Sequence, residues 1–469
     1  MRSRNKGNPE NGTVRPVRPW AVYWVVVVGY FMAQMDMTVV TVALPRIREE
    51  LGATVVEGTW AVSAYVLALA TVLITAGRLG DLFGSRRVFA SGVVIFTVCS
   101  LACALAHSPV QLIAARACQG LGAALLVPQI LSTIVAVIPK ERQGTALGIR
   151  GSVGAGAAVV GPVVGGLLVT QLGWRWVFLI NVPIGIVLCV SALVFLPRTS
   201  QSRQRKLDIP GAVLAALALA IGVYTLMRVG EAGWTTSSWM GLGLTVLLLG
   251  AFLVQQRRVQ NADPLLPFTL FTSRRYRIML PAGVSVSVVV ISFTLVLSFF
   301  LQEGLGASAQ RAGLVIAPAS LASMLLAPVV GRLTDKMDAR VLFALGLGLT
   351  ACGVGLAAWL MVPEASWNRF IPVMCIIGAG NAMLFTPTTA MAMRGVPKEV
   401  AGAASGVLST FLQVGSALGT AMVAVVMQTV ARNATFTEAA RTAMLVPLIA
   451  IACAAVSCFF VDRTPPEKS

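Results

Sequence analysis

Two residues of opposite charge stand out because each lies inside a long apolar run: Asp36 within Trp20 to Leu44, and Arg116 within the run over 109–136. About 20 helical residues at ~1.5 Å each cross the hydrocarbon core of a bilayer, so both side chains are expected inside a membrane. An ionisable group there costs roughly 2.5–3.5 kcal/mol and is usually paired, solvated by a cavity or part of a proton path. With Pro45 read as the end of the first helix, Asp36 lies nine residues, ~13 Å, below it, and Arg116 lies seven residues, ~10 Å, below Pro109. Comparable depth and the cost of lipid exposure predict that both face the bundle interior, where they can pair. Burial favours the neutral carboxyl and a nearby guanidinium the ionised one, so the pair is suited to binding and releasing a proton. The alternative role for Asp36 is a helix-packing hydrogen bond made by a protonated carboxyl.

The rest of the chain must hold these groups in a membrane. It has 469 residues, 57% hydrophobic and 12% charged, with mean hydropathy +0.83, a composition foreign to water-soluble domains. The apolar runs are near 20 residues and unalternated, which predicts helices rather than a β-barrel. The chain has one histidine, His107, which excludes two-histidine metal sites. It has no H-E-x-x-H, G-x-S-x-G or G-x-x-x-x-G-K-[ST] motif, so hydrolysis and direct ATP use lack their usual parts and no cofactor is expected. All eight cysteines fall within apolar runs and are expected as buried thiols rather than disulfides.

Fourteen spans are expected, over about 20–45, 58–76, 88–106, 109–136, 146–170, 174–196, 210–228, 238–255, 278–301, 312–331, 341–361, 370–392, 402–427 and 442–461. Of the 36 Lys and Arg, 26 fall on the first tail, the even-numbered connections and the last tail, against 8 on the odd-numbered connections and the span ends beside them. The positive-inside rule then places both termini in the cytoplasm. The net charge of +18 becomes a matter of topology and of the anionic inner leaflet. Nucleic-acid binding is not expected, because the basic residues are scattered over short loops.

The sequence also repeats. Gly77-Arg78-Leu79-Gly80-Asp81 recurs as Gly331-Arg332-Leu333-Thr334-Asp335 at an offset of 254, and Gly144-x-x-x-Gly148 recurs as Gly402-x-x-x-Gly406 at an offset of 258. Spans 1–6 thus correspond to spans 9–14, as in transporters built from two six-helix halves. The expected organisation is a disordered basic tail over 1–19, a six-helix bundle over 20–196, a linker with an inserted helix pair and a cytoplasmic loop over 197–277, a second bundle over 278–461 and a tail over 462–469.

These features resemble the major facilitator superfamily, and within it the fourteen-span branch of drug:proton antiporters. The loop Gly77-Arg-Leu-Gly-Asp-Leu-Phe-Gly-Ser-Arg-Arg87 is similar to the superfamily motif G-x-L-x-D-x-x-G-R-[KR]-[KR], with Ser85 in place of a basic residue. Asp36-Met-Thr-Val-Val-Thr-Val-Ala-Leu-Pro45 resembles the branch's first-helix motif D-x-T-[IV]-V-N-V-A-L-P, with Thr41 where asparagine is common. Arg116-x-x-Gln-Gly120 resembles its fourth-helix motif, Gly161-Pro162-x-x-Gly165-Gly166 its antiporter motif, and Trp174-Arg-Trp-x-Phe-x-Ile-Asn-x-Pro183 its helix 5–6 turn. The resemblance implies an all-α polytopic membrane protein of major-facilitator fold, acting as a proton-coupled exporter of drugs, antibiotics or dyes at the cell inner membrane. It implies a monomer, with Gly77, Arg78, Asp81, Gly84, Arg86 and Arg87 latching the halves on the cytoplasmic side. The residue-level alternative for that loop is a topology signal with no moving part. For Gly161 and Gly165, which share a helix face, the alternatives are close packing and the resemblance's seal against leak.

The substrate is expected in a mostly apolar cavity between the halves, with Gln34, Trp60, Tyr65, Gln129, Asn381 and Gln413 as candidate lining or as bridges between helices. Met374 stands where the second half would repeat Arg116, and positions 290–294, opposite Asp36, hold no charge, so amphipathic substrates with at most one positive charge are favoured. Arg150 departs from the aromatic or apolar residue common in relatives and can snorkel to the surface. A carrier of one metabolite or lipid is the alternative function, against which the antiporter motif argues. In a cysteine-free background, cysteines placed at Ser202 and Asn261 are expected to react with an impermeant maleimide only from the cytoplasmic side; labelling of either from outside intact cells would contradict the fourteen-span topology.

Overall fold

The structure is a computed structural model that describes residues 18–197, 207–432 and 434–460. Most of the first tail, Ser202 and the 462–469 tail lie outside the described residues. Fourteen helices among them are long and apolar enough to cross a membrane. They are α1 Pro19–Leu51, α2 Val56–Phe83, α3 Ser85–Ala104, α4 Pro109–Val137, α5 Lys140–Gln171, α6 Trp176–Phe195, α7 Ile209–Val229, α8 Thr236–Arg258, α9 Arg274–Gly304, α10 Gln310–Lys336, α11 Ala339–Leu360, α12 Trp367–Met393, α13 Lys398–Val430 and α14 Phe436–Cys458. Local chemistry sets many of the ends. Thr54 and Glu57 form a capping box at the start of α2, and the side chains of Ser108, Thr235, Ser273 and Ser308 cap α4, α8, α9 and α10. Gly84, at φ 88°, makes the one-residue turn between α2 and α3, a conformation a side chain would strain.

The expected end of α1 at Pro45 is corrected: the helix runs through it to Leu51 and stops at Gly52, whose φ is 62°. The added turns are held by charge. Arg46 pairs with Glu49 at 2.8 Å and with Glu50 at 3.2 Å, and Glu50 accepts from Trp174 Nε1 at 2.9 Å and Arg175 at 3.1 Å. Asp36 is therefore at mid-helix rather than near one end.

The helices form two six-helix bundles plus an inserted pair. In the first bundle α2 and α3 pack on α4 and α1 packs on α5; in the second α10 and α11 pack on α12 and α9 packs on α13, repeating the arrangement span for span. Of the inserted pair, α7 lies against both α2 and α13 and α8 packs on α7. Apolar side chains such as Val187, Leu193, Trp359 and Ile449 point outward, which suits a lipid-facing surface.

The bundles meet along two seams, α5 on α10 and α2 on α13. Both are built from small residues. A Cβ on Gly77 would meet the backbone of Gly402 and Gly406, and one on Gly148 would meet Gly331 and Ala327. Backbones thus approach where glycine permits it, in the turns nearest the arginine-rich end of the bundle, where α1 and α13 begin. Beyond these turns the seam opens into a central cavity.

Candidate functional site

Asp36 and Arg116 are buried together inside the first bundle, at 1% and 0% exposure. Arg116 Nη1 donates to Asp36 Oδ2 and also to Gln119 Oε1 at 2.8 Å. The other carboxylate oxygen accepts from Gln119 Nε2 at 3.0 Å and from Asn181 Nδ2 at 2.9 Å. Arg116 Nε donates to the carbonyl of Ala61 at 3.1 Å, and the guanidinium stacks 4.3 Å over the ring of Tyr65. Four helices supply this cluster: α1 the carboxylate, α4 Arg116 and Gln119, α2 the carbonyl and ring, and α6 Asn181. Asn181 begins the second segment of α6, which is interrupted at Ile180, and it also donates to Ser100 Oγ of α3 at 3.1 Å. Gln119 and Asn181 were not singled out as site residues, although both occur in the motifs of the fourth helix and the helix 5–6 turn.

Next to this cluster, α1 leans on α5. A Cβ on Gly161 would collide with Thr38, and one on Gly165 would touch Val39. Thr38 Oγ1, two residues from Asp36, donates to Met35 O at 2.9 Å and lies 3.3 Å from Ala157 O of α5. Pro162 is exposed, and Gly166 has nothing within 4 Å of an added Cβ.

At the arginine-rich end the repeated acids cross between the halves. Asp81 of α2 accepts from the backbone N–H groups of Gly402 and Ala403, each at 2.7 Å, at the start of α13. Asp335 of α10 accepts from Gly144 N at 2.6 Å, Thr145 N at 2.8 Å and Thr145 Oγ1 at 2.6 Å at the start of α5. Each half thus caps a helix of the other, and each carboxylate meets the positive end of a helix dipole. Lys398 Nζ donating to Ala136 O at 2.9 Å and Ser405 Oγ donating to Pro128 O at 2.7 Å join α13 to α4 at the same end. Other loop residues hold their own bundle: Arg86 donates to carbonyls of Leu193 and Leu196 at the end of α6, and Arg87 is exposed. Arg78, 3% exposed, pairs at 3.5 Å with Asp263 in the connection between α8 and α9.

The cavity between the bundles has a volume of ≈ 430 Å³ and is lined by α1, α2, α4 and α5 from one half and α9, α10, α12 and α13 from the other. That volume is within the range of drug-sized ligand sites. Gln34, Asn381 and Gln413 line it, with Tyr30 and Met37 beside Gln34 on α1. Three other expected lining residues do not. Trp60 stacks on Tyr224 of α7, centroids 5.9 Å apart, in a separate cleft; Tyr65 belongs to the Arg116 cluster; and Gln129, fully buried, donates to Ala76 O at 2.8 Å. These helices are apolar nearly all round, so periodicity does not reveal which face meets a cavity. Arg150 is also corrected: it does not reach the surface but lines the cavity, its guanidinium 4.3 Å over the ring of Tyr30.

A two-bundle helical protein with a central cavity and helix-capping acids at one end is a transporter of the major-facilitator fold. The chain belongs to the Major Facilitator Superfamily, whose family model matches residues 26–420. It is 32% identical over 400 residues to the multidrug resistance protein Stp of Mycobacterium tuberculosis, covering 85% of this chain and 74% of that protein. It is 34% identical over 419 residues to the tetracenomycin C resistance and export protein of Streptomyces glaucescens, covering 87% and 76%. Both relatives are named for drug or antibiotic resistance. Among solved structures, the proton:xylose symporter XylE superposes with a TM-score of 0.67 at 14% identity over 96% of this chain and 97% of that one, a likeness of fold.

Replacing Asp81 by asparagine removes the charge and one of two acceptors at the α13 N-terminus. The lost cap is worth about 1–2 kcal/mol, which shifts the balance toward an open seam roughly 5- to 30-fold. Spin labels at the exposed positions Arg87 and Glu399 should report a longer mean separation in Asp81→Asn at unchanged expression. An unaltered distance distribution would show that the seam does not depend on this cap.

Proposed function

We propose that this protein is a proton-coupled antiporter that exports amphipathic small molecules by alternating access, with Asp36 as the proton-binding group. The observation that carries the proposal is the placement of Asp36: a carboxylate in the middle of a membrane helix, buried with a cation, on the same helix that presents Tyr30, Gln34 and Met37 to the cavity. Its family and the export proteins among its relatives support the transport class.

The coupling follows from electrostatics. Ionised Asp36 ties α1 to α4 and α6 through Arg116, Gln119 and Asn181. A proton on the carboxyl cancels its attraction for Arg116 and removes an acceptor, which loosens α1 from those partners. Because α1 is packed on α5 through Thr38 and Gly161, a shift of α1 is transmitted to α5, and α5 forms one of the two seams with the other half. With the arginine-rich end in the cytoplasm by the positive-inside rule, the Asp81 and Asp335 caps hold the cytoplasmic side shut. The structure is then the conformer with its cavity directed outward, in which substrate leaves and a proton enters. Among the described residues the second half puts no carboxylate in the cavity lining, which supports Asp36 as the coupling site.

The test is transport in reconstituted vesicles under an imposed pH gradient, using a dye whose export has been selected by accumulation in a pump-deleted host. Asp36→Asn keeps the shape and most hydrogen bonds but carries no proton. It should insert and bind dye, yet lose uphill transport while retaining downhill exchange. Full gradient-driven transport by Asp36→Asn at matched protein levels would remove Asp36 as the coupling site.

A further inference from the structure

Among the described residues Arg150 is the single formally charged side chain that lines the central cavity. Among the described residues it has no carboxylate within salt-bridge distance, and its Nε is buried without a hydrogen-bond partner. Stacking on Tyr30 at 4.3 Å covers one face of the guanidinium plane and leaves its edge, which carries the N–H groups, free to bond. The residue also sits on the cavity-facing stripe of α5, with Leu147 three residues before it and Gly154 four after it, all lining the same space. Gly154 makes room for the Tyr30 ring, whose hydroxyl would stand 3.0 Å from an added Cβ, and a Cβ on Gly151 would meet only Thr386 and Ala327, at 3.5 and 3.6 Å.

We propose that the carried molecule is an organic anion: an apolar or aromatic body of drug size bearing one acidic oxygen, a carboxylate or an ionised phenol, which the Arg150 guanidinium binds in the cavity. This deepens the export reading of the previous subsection and rests on it for the direction of transport. The chemistry of recognition is that of a planar fork of N–H donors meeting an anionic oxygen, which is short, charge-assisted and specific to Arg over a point charge. Low-dielectric walls strengthen it, and the same walls penalise a cation brought near an uncompensated guanidinium. The expectation of an amphipathic substrate with at most one positive charge is thereby narrowed to an anion. On the opposite wall Asn381 lines the cavity with its Oδ1 buried and unpartnered, so a hydroxyl or N–H donor at the far end of the anion would also be met.

The probes are three pyrenes of closely similar body: pyrenebutyrate, pyrenebutanol and pyrenemethylammonium, bound to the purified full-length protein in detergent at neutral pH and read by fluorescence anisotropy. Wild type should bind the anion about tenfold more tightly than the alcohol, the change expected when one charge-assisted hydrogen bond is added, and the cation least tightly. Arg150→Gln should bind the anion and the alcohol alike, while Arg150→Lys should keep a reduced preference for the anion. Equal affinities in wild type, failure of wild type to bind the anion, or an undiminished preference in Arg150→Gln would each overturn the proposal. Should Arg150→Gln not fold, the wild-type ranking and Arg150→Lys still decide it. No proton gradient enters this assay, so a failed coupling test at Asp36 and a failed anion test at Arg150 are separate results.

Discussion

A carboxylate buried in an apolar helix bundle must be compensated, and much of the first half of this protein is arranged to do so. Asp36 receives a guanidinium and two side-chain amides from two further helices, α4 and α6. Removing both charges from water costs several kcal/mol per ion, and the attraction between them offsets this only when the remaining lone pairs are satisfied. Here both carboxylate oxygens are, while Arg116 Nη2 is buried without a hydrogen-bond partner. A packing function alone would be met as well by apolar side chains, so a pair of this expense is better accounted for by a group that changes its charge.

The second constraint is the close approach of the halves. Gly77 and Gly402 on one seam and Gly148 and Gly331 on the other let backbones touch, and the acids one turn away, Asp81 and Asp335, cap the helix that each seam brings within reach. The two seams are the same device used twice, related by the internal repeat. Their capping contacts lie toward one end, and on the α5–α10 seam Ser152 Oγ also donates to Met324 O at 2.6 Å nearer mid-helix. The inserted helix α7 lies against α2 and α13, beside one seam. Arg78, at the base of that seam, is tied to Asp263 of the long connection.

Much of this was legible in the sequence, and what was not has a common cause. Length, apolarity and the repeat gave fourteen helices in two bundles, because span length and self-similarity need no knowledge of facing. Rise per residue put Asp36 and Arg116 at comparable depth, which was enough to bring them together even though α1 proved longer than Pro45 suggested. Facing is what such sequences hide. Successive residues turn by about 100°, so Gln34 and Asp36 point in nearly opposite directions: the first lines the cavity, and the second is sealed inside the bundle. The same ambiguity left open whether Trp60, Tyr65 and Gln129 line the cavity or bridge helices, of which the second is found, and it left Arg150 out of the cavity. The repeat, likewise, marked Asp81 and Asp335 as equivalent but did not tell that each would bind the other half.

The central claim is that a change in the protonation of Asp36 accompanies the movement of substrate. Its most direct test is proton release from purified protein in a lightly buffered detergent solution containing a pH indicator, on addition of an exported dye. The account predicts release from wild type and none from Asp36→Asn, with dye binding retained by the variant. Equal release from both proteins would contradict it, because the proton would then come from a different group.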